Sequence, residues 1–186
     1  SRHPLPRPFP SHLKLLPFPA MAAVSPGPRA HSSSKPPDTA KACTQAIAAH
    51  GRSKRWAAAL DLLFGMRQLG PEPDAVACNA AITACERGSA VDQALGLLGE
   101  MCSWRLQPDA VTYNAEISAC AKAKRPRRAL ALLGEMRRER LQPDVVSFGA
   151  AISACERCGC WEEAVALLRD MALGRVEASA IACNAA

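Results

Sequence analysis

Asn79-Ala80-Ala81-Ile82-Thr83-Ala84-Cys85-Glu86-Arg87 returns as Asn114-Ala115-Glu116-Ile117-Ser118-Ala119-Cys120-Ala121-Lys122, and again as Gly149-Ala150-Ala151-Ile152-Ser153-Ala154-Cys155-Glu156-Arg157. Each copy lies 35 residues after the last, and Leu106-Gln107-Pro108-Asp109 returns at the same interval as Leu141-Gln142-Pro143-Asp144. A fixed period of this length is the signature of stacked supersecondary units. With each unit started after the Pro-Asp pair, the repeats are 40–74, 75–109, 110–144 and 145–179, with a partial fifth at 180–186 and no gaps. Position 8 is then Ile47, Ile82, Ile117 and Ile152, position 24 is Leu63, Leu98, Leu133 and Leu168, and position 27 is Met66, Met101, Met136 and Met171.

Each repeat carries two helical patterns. At about 100° per residue, positions 4, 7, 8 and 11 share one face of a first helix and are apolar or small, with His50 and Glu116 as exceptions. Positions 17, 20, 21, 24, 27 and 28 form the stripe of a second helix, in the first repeat Trp56, Ala59, Leu60, Leu63, Met66 and Arg67. Gly88 and Gly159 fall near the turn between helices, and Pro126 falls at a helix start, where its missing N–H costs nothing. A lone hairpin cannot bury both stripes but stacked neighbours can, so an all-α solenoid with a concave groove is expected.

Composition agrees with this fold and narrows the function. Aromatic residues are 4% and hydrophobic residues 49%, which favours close-packed helices. The net charge of +6 is concentrated in residues 1–39, which hold +4 of it. That Pro-rich segment excludes helix and sheet. It is read either as a disordered tail, with Met21 a candidate start, or as a transit peptide. No apolar run is long enough to span a membrane. The nine cysteines are odd in number and no signal peptide is evident, which argues against a disulfide scaffold. Six of them occupy position 4 (Cys43, Cys78, Cys183) or position 11 (Cys85, Cys120, Cys155), as small buried fillers. Cys158 and Cys160 lie at an inter-helix turn without a second CxxC or His pair, so no metal site is expected. No nucleophile–base set or phosphate loop is present, so the chain is expected to be neither an enzyme nor a cofactor binder.

The face of the first helix opposite the core is where function should sit. Position 13 is basic in every repeat (Arg52, Arg87, Lys122, Arg157), a spaced track suited to phosphates. Position 2 is Lys41, then Val76, Val111, Val146 and Ile181. Those apolar residues either pack between repeats or clamp a flat base. Position 5 holds Thr44, Asn79, Asn114, Gly149 and Asn184, either hydrogen-bonding groups for a ligand or helix caps. Asp74, Asp109 and Asp144 at position 35 have a strong capping role available to them.

Val111-Thr112-Tyr113-Asn114, the Leu-Gln-Pro-Asp repeat ends and the 35-residue period together resemble the pentatricopeptide repeat family, P-type, over residues 40–186. The resemblance implies a right-handed α-solenoid of stacked helix-turn-helix hairpins that binds single-stranded RNA, one base per repeat. It implies base reading by positions 5 and 35: Thr44 with Asp74 for guanine, Asn79 with Asp109 and Asn114 with Asp144 for uracil, and Gly149 with Ser179 for no defined base. Position 2 (Val76, Val111, Val146, Ile181) would sandwich bases, and Arg52, Arg87, Lys122 and Arg157 would contact phosphates. With RNA parallel to the repeats, the expected target is 5′-G-U-U-N-3′. The resemblance further implies a chloroplast or mitochondrial protein acting in RNA processing, editing, stability or translation, a monomer with further repeats and protein partners outside this chain. The alternative is a protein-binding scaffold of the tetratricopeptide type, against which stand the period of 35 and the Ile, Met and Pro-Asp columns.

Overall fold

The computed structural model describes residues 39–173, which form eight α-helices and, among the described residues, no strand. They are α1 (Ala40–Arg52), α2 (Trp56–Leu69), α3 (Ala75–Arg87), α4 (Val91–Ser103), α5 (Ala110–Lys122), α6 (Pro126–Arg138), α7 (Val145–Glu156) and α8 (Trp161–Leu173). Two helices fall in each 35-residue unit, as the periodicity predicts. Ser179, Ile181, Cys183, Asn184, the partial fifth repeat and the Pro-rich segment before Thr39 lie outside the described residues.

The recurring columns are the core. Ile47, Ile82, Ile117 and Ile152 are fully buried, as are Met101, Met136 and Met171 and, all but completely, Met66. Ala59, Ala94, Ala129 and Ala164 at position 20 are buried with them. The predicted stripe of α2 is correct for Ala59, Leu60, Leu63 and Met66, while Trp56 is half-buried. Arg67 is exposed instead, its guanidinium 5.9 Å from the Trp104 ring centre, because a cation keeps its head in water while its stem covers apolar surface. Buried Cys43, Cys78, Cys85, Cys120 and Cys155 fill the small gaps of the first helices. Burial pushes the Cys78 and Cys85 thiols up to about 12, which removes them from thiolate chemistry.

The turn inside each hairpin is the same object four times. The residue at position 15 (Lys54, Ser89, Lys124, Gly159) takes a left-handed conformation. The next N–H then reaches back to the carbonyl at position 11: Arg55 to His50, Ala90 to Cys85, Arg125 to Cys120, Cys160 to Cys155, at 2.9–3.0 Å. This closure satisfies carbonyls that the helix end would orphan. Gly159 supplies that conformation without strain. Gly88 serves differently: its φ of −87° is ordinary, but a Cβ there would lie 2.3 Å from Trp56 Cδ1. Its role is to let α3 accept the Trp56 ring of the preceding repeat.

Each odd-numbered helix packs directly on the next odd-numbered one, and each even-numbered helix packs on its own partner and on the first helix of the following repeat. The even-numbered helices do not pack closely on one another; side-chain ion pairs, Arg125–Asp92 and Arg137–Asp170, bridge them instead. A stack that is tight along one row and splayed along the other must curve, with the tight row inside. The concave surface therefore belongs to α1, α3, α5 and α7.

Candidate nucleic-acid interface

Along that concave row the face opposite the core carries the residues singled out by the repeat pattern. Val76, Val111 and Val146 are 63%, 58% and 59% exposed, which excludes packing between repeats as the reason for their apolar character. They sit one turn or less from the start of α3, α5 and α7, at identical positions. Lys41, their counterpart in the first repeat, is also exposed.

Position 5 lies inside each helix rather than at its cap. Asn79 is the fifth residue of α3 and Asn114 the fifth of α5. The caps are the position-35 aspartates: Asp74 accepts from the Ala77 N–H at 2.8 Å, Asp109 from Thr112 at 2.9 Å and Asp144 from Ser147 at 2.9 Å. Capping and pairing coexist, because the same aspartates meet the asparagines of the repeat they end. Asn79 Nδ2 donates to Asp109 Oδ1 at 3.1 Å. Asn114 Nδ2 lies 3.3 and 3.4 Å from the two oxygens of Asp144. Residues thirty apart are thus brought together twice in the same arrangement.

Sequence reasoning missed a third member. Thr112 Oγ1 is 2.6 Å from Asn79 Oδ1, and Ser147 Oγ is 2.5 Å from Asn114 Oδ1. Both hydroxyls also accept from the backbone N–H of the capping aspartate at 3.2 Å, completing capping boxes. Both residues are fully buried. The Asp-x-x-Thr/Ser spacing at 109/112 and 144/147 was the available signal. Burial alone would raise the pKa of Asp109 and Asp144, but hydrogen bonds from Thr112, Asn79 and Val111, and from Ser147, Asn114 and Val146, outweigh it. Both carboxyls are held below the usual carboxylate range, as acceptors.

The first and last pairs differ. Thr44 Oγ1 donates to the Ala40 carbonyl of its own helix at 2.9 Å, and Ala77 stands where Thr112 and Ser147 stand in later repeats. No hydrogen bond joins Thr44 to Asp74. Gly149 offers no side chain, and a Cβ there would meet nothing within 4 Å.

The position-13 cations lie at the C-terminal ends of the first helices: Arg52, Arg87 and Lys122 are the last helical residues and Arg157 is a C-cap. A positive charge there complements the helix dipole, which is a reason for a basic residue apart from any ligand. All four are exposed, but they are not equivalent. Lys122 Nζ is 3.0 Å from Glu86 Oε1, which also accepts from Ser118 Oγ at 2.5 Å. Arg52, Arg87 and Arg157 form no such ion pair with any described residue.

The PPR repeat family matches at residues 73–122 and 108–157, and the PPR repeat matches again at 146–173, so the matches together cover more than half of the chain. The chain belongs to the PPR repeat family. Among solved structures, the pentatricopeptide repeat protein PPR10 from maize is similar with a TM-score of 0.71 at 17% identity, over 80% of this chain and 21% of that one. PPR10 in complex with an 18-nt psaJ RNA element is similar with a TM-score of 0.63 at 28% identity, over 78% of this chain and 22% of that one. The PPR domain of Arabidopsis thaliana protein-only RNase P 1, in complex with tRNA, is similar with a TM-score of 0.70 at 17% identity, over 78% of this chain and 77% of that domain. This PPR chain therefore spans about a fifth of the length of PPR10. No curated protein matches it.

Proposed function

We propose that this PPR array binds single-stranded RNA along its concave row, one base to a repeat. The observation that carries this is the twice-repeated Asn–Asp pair, Asn79 with Asp109 and Asn114 with Asp144, each set between exposed valines. An apolar side chain on either side suits the faces of a base, and a polar pair between them suits its edge. Val76 and Val111 would flank the base read by Asn79 and Asp109, and Val111 and Val146 the next. Arg52, Arg87 and Arg157 would approach the phosphates, with Lys122 a weaker contact because Glu86 already neutralises it. The PPR10 complex with a psaJ RNA element, at 28% identity, supports an RNA ligand.

The same reading makes the chain a binding module without catalysis, with residues 40–186 as the array and the Pro-rich residues 1–39 as a segment outside it. Target selection would follow 5′-G-U-U-N-3′, with Gly149 and Ser179 selecting no base. The biological setting we propose is RNA processing, editing, stability or translation in a chloroplast or mitochondrion.

Fluorescence anisotropy tests this with short single-stranded RNA carrying GUU, a scrambled RNA and the matching DNA, at two salt concentrations. Salt-sensitive preference for the GUU RNA is the expected result. Equal binding to all three by folded protein would refute base reading. Absence of binding would favour a protein-binding scaffold, which the exposed row of valines would equally serve.

A further inference from the structure

Asn79 and Asn114 each carry a carbonyl oxygen and an amino group that could present either a donor or an acceptor to a ligand. A carboxylate only accepts, so the amide nitrogen must be the atom that faces Asp109 or Asp144, as observed. That leaves the amide oxygen requiring a donor. In both repeats a hydroxyl from position 3 of the following repeat is in place, Thr112 at 2.6 Å and Ser147 at 2.5 Å; its one proton also has the capping carboxylate within reach at 2.9 Å, and the shorter contact is to the amide oxygen. The hydroxyl oxygen is in turn anchored by the N–H of the capping aspartate. The asparagine is thereby held at both ends of its amide, by two groups that are themselves fixed to a helix start.

Resting on the base-reading function above, we propose that Thr112 and Ser147 are positioning residues that lock the amides of Asn79 and Asn114 with one N–H turned outward, and so set the choice between uracil and cytosine. With the amide locked, the outward groups are a donor, the second Nδ2 proton, beside an acceptor, the aspartate carboxylate. For Asp109, Oδ1 is the atom that takes the bonds from Asn79 and Thr112, and the carboxyl as a whole is the outward acceptor. Uracil offers a carbonyl beside an N–H. Cytosine offers its amino group at the place of one of those carbonyls and lacks the N3 proton, so an outward N–H in a fixed place meets a donor or loses its complement. An amide free to turn could present its oxygen instead and accept from cytosine. The repeat 40–74 lacks the device: Ala77 replaces the hydroxyl, and Thr44 bonds its own helix. Discrimination should be sharp at the bases served by Asn79 and Asn114 and loose at the one served by Thr44.

The test uses the full chain with short single-stranded RNAs carrying GUU, GCU or GUC, beside side-chain amide NMR of Asn79 and Asn114. Thr112→Val keeps shape and removes the hydroxyl, and Thr112→Ser keeps the hydroxyl. The wild type should favour GUU over GCU by about tenfold, the factor that 1.4 kcal/mol represents. Thr112→Val should bring that ratio within about twofold, leave the GUU-to-GUC ratio intact, and move the Asn79 amide signals toward those of a free side chain. Thr112→Ser should restore both. Ser147→Ala should act on the GUC comparison alone. A folded Thr112→Val protein that keeps the wild-type ratio and amide signals would overturn the lock. So would equal loss in Thr112→Ser, which a merely structural effect on α5 would produce. A wild type without preference, whose Asn79 amide is nonetheless released by Thr112→Val, would overturn base reading by Asn79 and Asp109 and leave the lock standing.

Discussion

Replacing Glu116 should stabilise this protein, and the gain should grow with pH. Glu116 is fully buried at position 7 of α5, where the other described repeats carry Ala46, Ala81 and Ala151. Neither carboxyl oxygen has a hydrogen-bond partner. Arg128 is the nearby cation, but its guanidinium is engaged 3.2 Å away by Glu135 Oε1. Burial therefore dominates, Arg128 offsets it only at a distance, Glu135 adds to it, and the carboxyl is pushed well above its usual range. A buried polar group without a partner costs about 1–3 kcal/mol even when neutral. The proton adds a pH dependence. In the unfolded chain the group ionises from about pH 4.3 upward while the folded protein keeps its proton. The folded state then binds more protons, so stability is full below the unfolded value and is lost as pH rises toward the folded one. As long as the folded carboxyl stays protonated the loss is about 1.4 kcal/mol per pH unit, a large part of a total near 5–15 kcal/mol.

The window from about pH 5 to 8 separates this effect from those of the other carboxyls and the thiols, and the slope that Glu116→Met removes is the part due to Glu116. Asp109 and Asp144 have lowered values, so their contribution is complete above the unfolded carboxylate range and is lost only in more acidic solution. The buried thiols, raised from 9.0, act only in more alkaline solution. Urea midpoints followed by circular dichroism should fall across the window for the wild type. Glu116→Met, similar in volume and apolar, should be flat, with a gain over the wild type that grows by about 1.4 kcal/mol for each pH unit over which the folded carboxyl keeps its proton. Glu116→Gln should be flat with less gain, since its amide remains unpaired. Hydrogen exchange at the α5 amides should place the loss in the central repeat. A wild-type midpoint that is level or rising with pH, or a Met variant with the same slope, would refute the argument.

Other perturbations follow from the same geometry. Gly88→Ala should destabilise by about 1–3 kcal/mol, because its Cβ would press on the stem of the Trp56 ring, and thermal melts beside Gly134→Ala, which meets nothing within 4 Å, would measure it. Lys124→Gly should stabilise by roughly 1 kcal/mol, since the φ of 56° there strains any side chain; an unchanged melting curve would count against the strain. Arg87→Ala should lower the salt dependence of RNA binding by about 0.7 in the log–log slope. Lys122→Ala, whose charge Glu86 already offsets, should lower it less, and a larger effect from Lys122 would reverse the assignment of the phosphate contacts.

What the sequence disclosed depends on where each contact is made. The columns of Ile, Ala, Leu and Met were legible because every repeat solves the same packing problem with the same residue, so a buried position announces itself by recurrence. The face opposite the core was legible for the same reason, down to Val76, Val111 and Val146. Contacts that join one repeat to the next were harder to see. Thr112 acts on Asn79 and Lys122 on Glu86, residues more than thirty positions away, and neither partner recurs in all repeats. Glu116 was visible as an exception to a small-residue column, yet its consequence depends on Arg128 being taken by Glu135, which no spacing reveals. Arg67 misled because a stripe counts positions, whereas a long cation leaves the core by extending along it.

On the proposed base reading, the position-35 aspartates tie fold and recognition together. Asp109 ends one repeat's hydrogen-bonding pair and begins the next repeat's helix, accepting from Asn79 in the first role and from the Thr112 N–H in the second. Asp74 keeps the capping bond at 2.8 Å although Thr44 makes no bond to it, so the cap alone is reason enough for the residue. Any change of preference made at position 35 is therefore restricted to side chains that also cap, Asn, Ser or Thr, or costs about 1 kcal/mol of helix stability. Position 5 carries no such obligation, being inside the helix and half-buried. Asn79→Ser and Asp109→Asn should thus separate: the first should change base preference with little change in melting temperature. The second keeps the cap but removes the acceptor that obliges Asn79 to turn its nitrogen inward. If Asp109→Asn leaves preference intact while Asn79→Ser abolishes it, the aspartate is a cap alone and the asparagine reads without it.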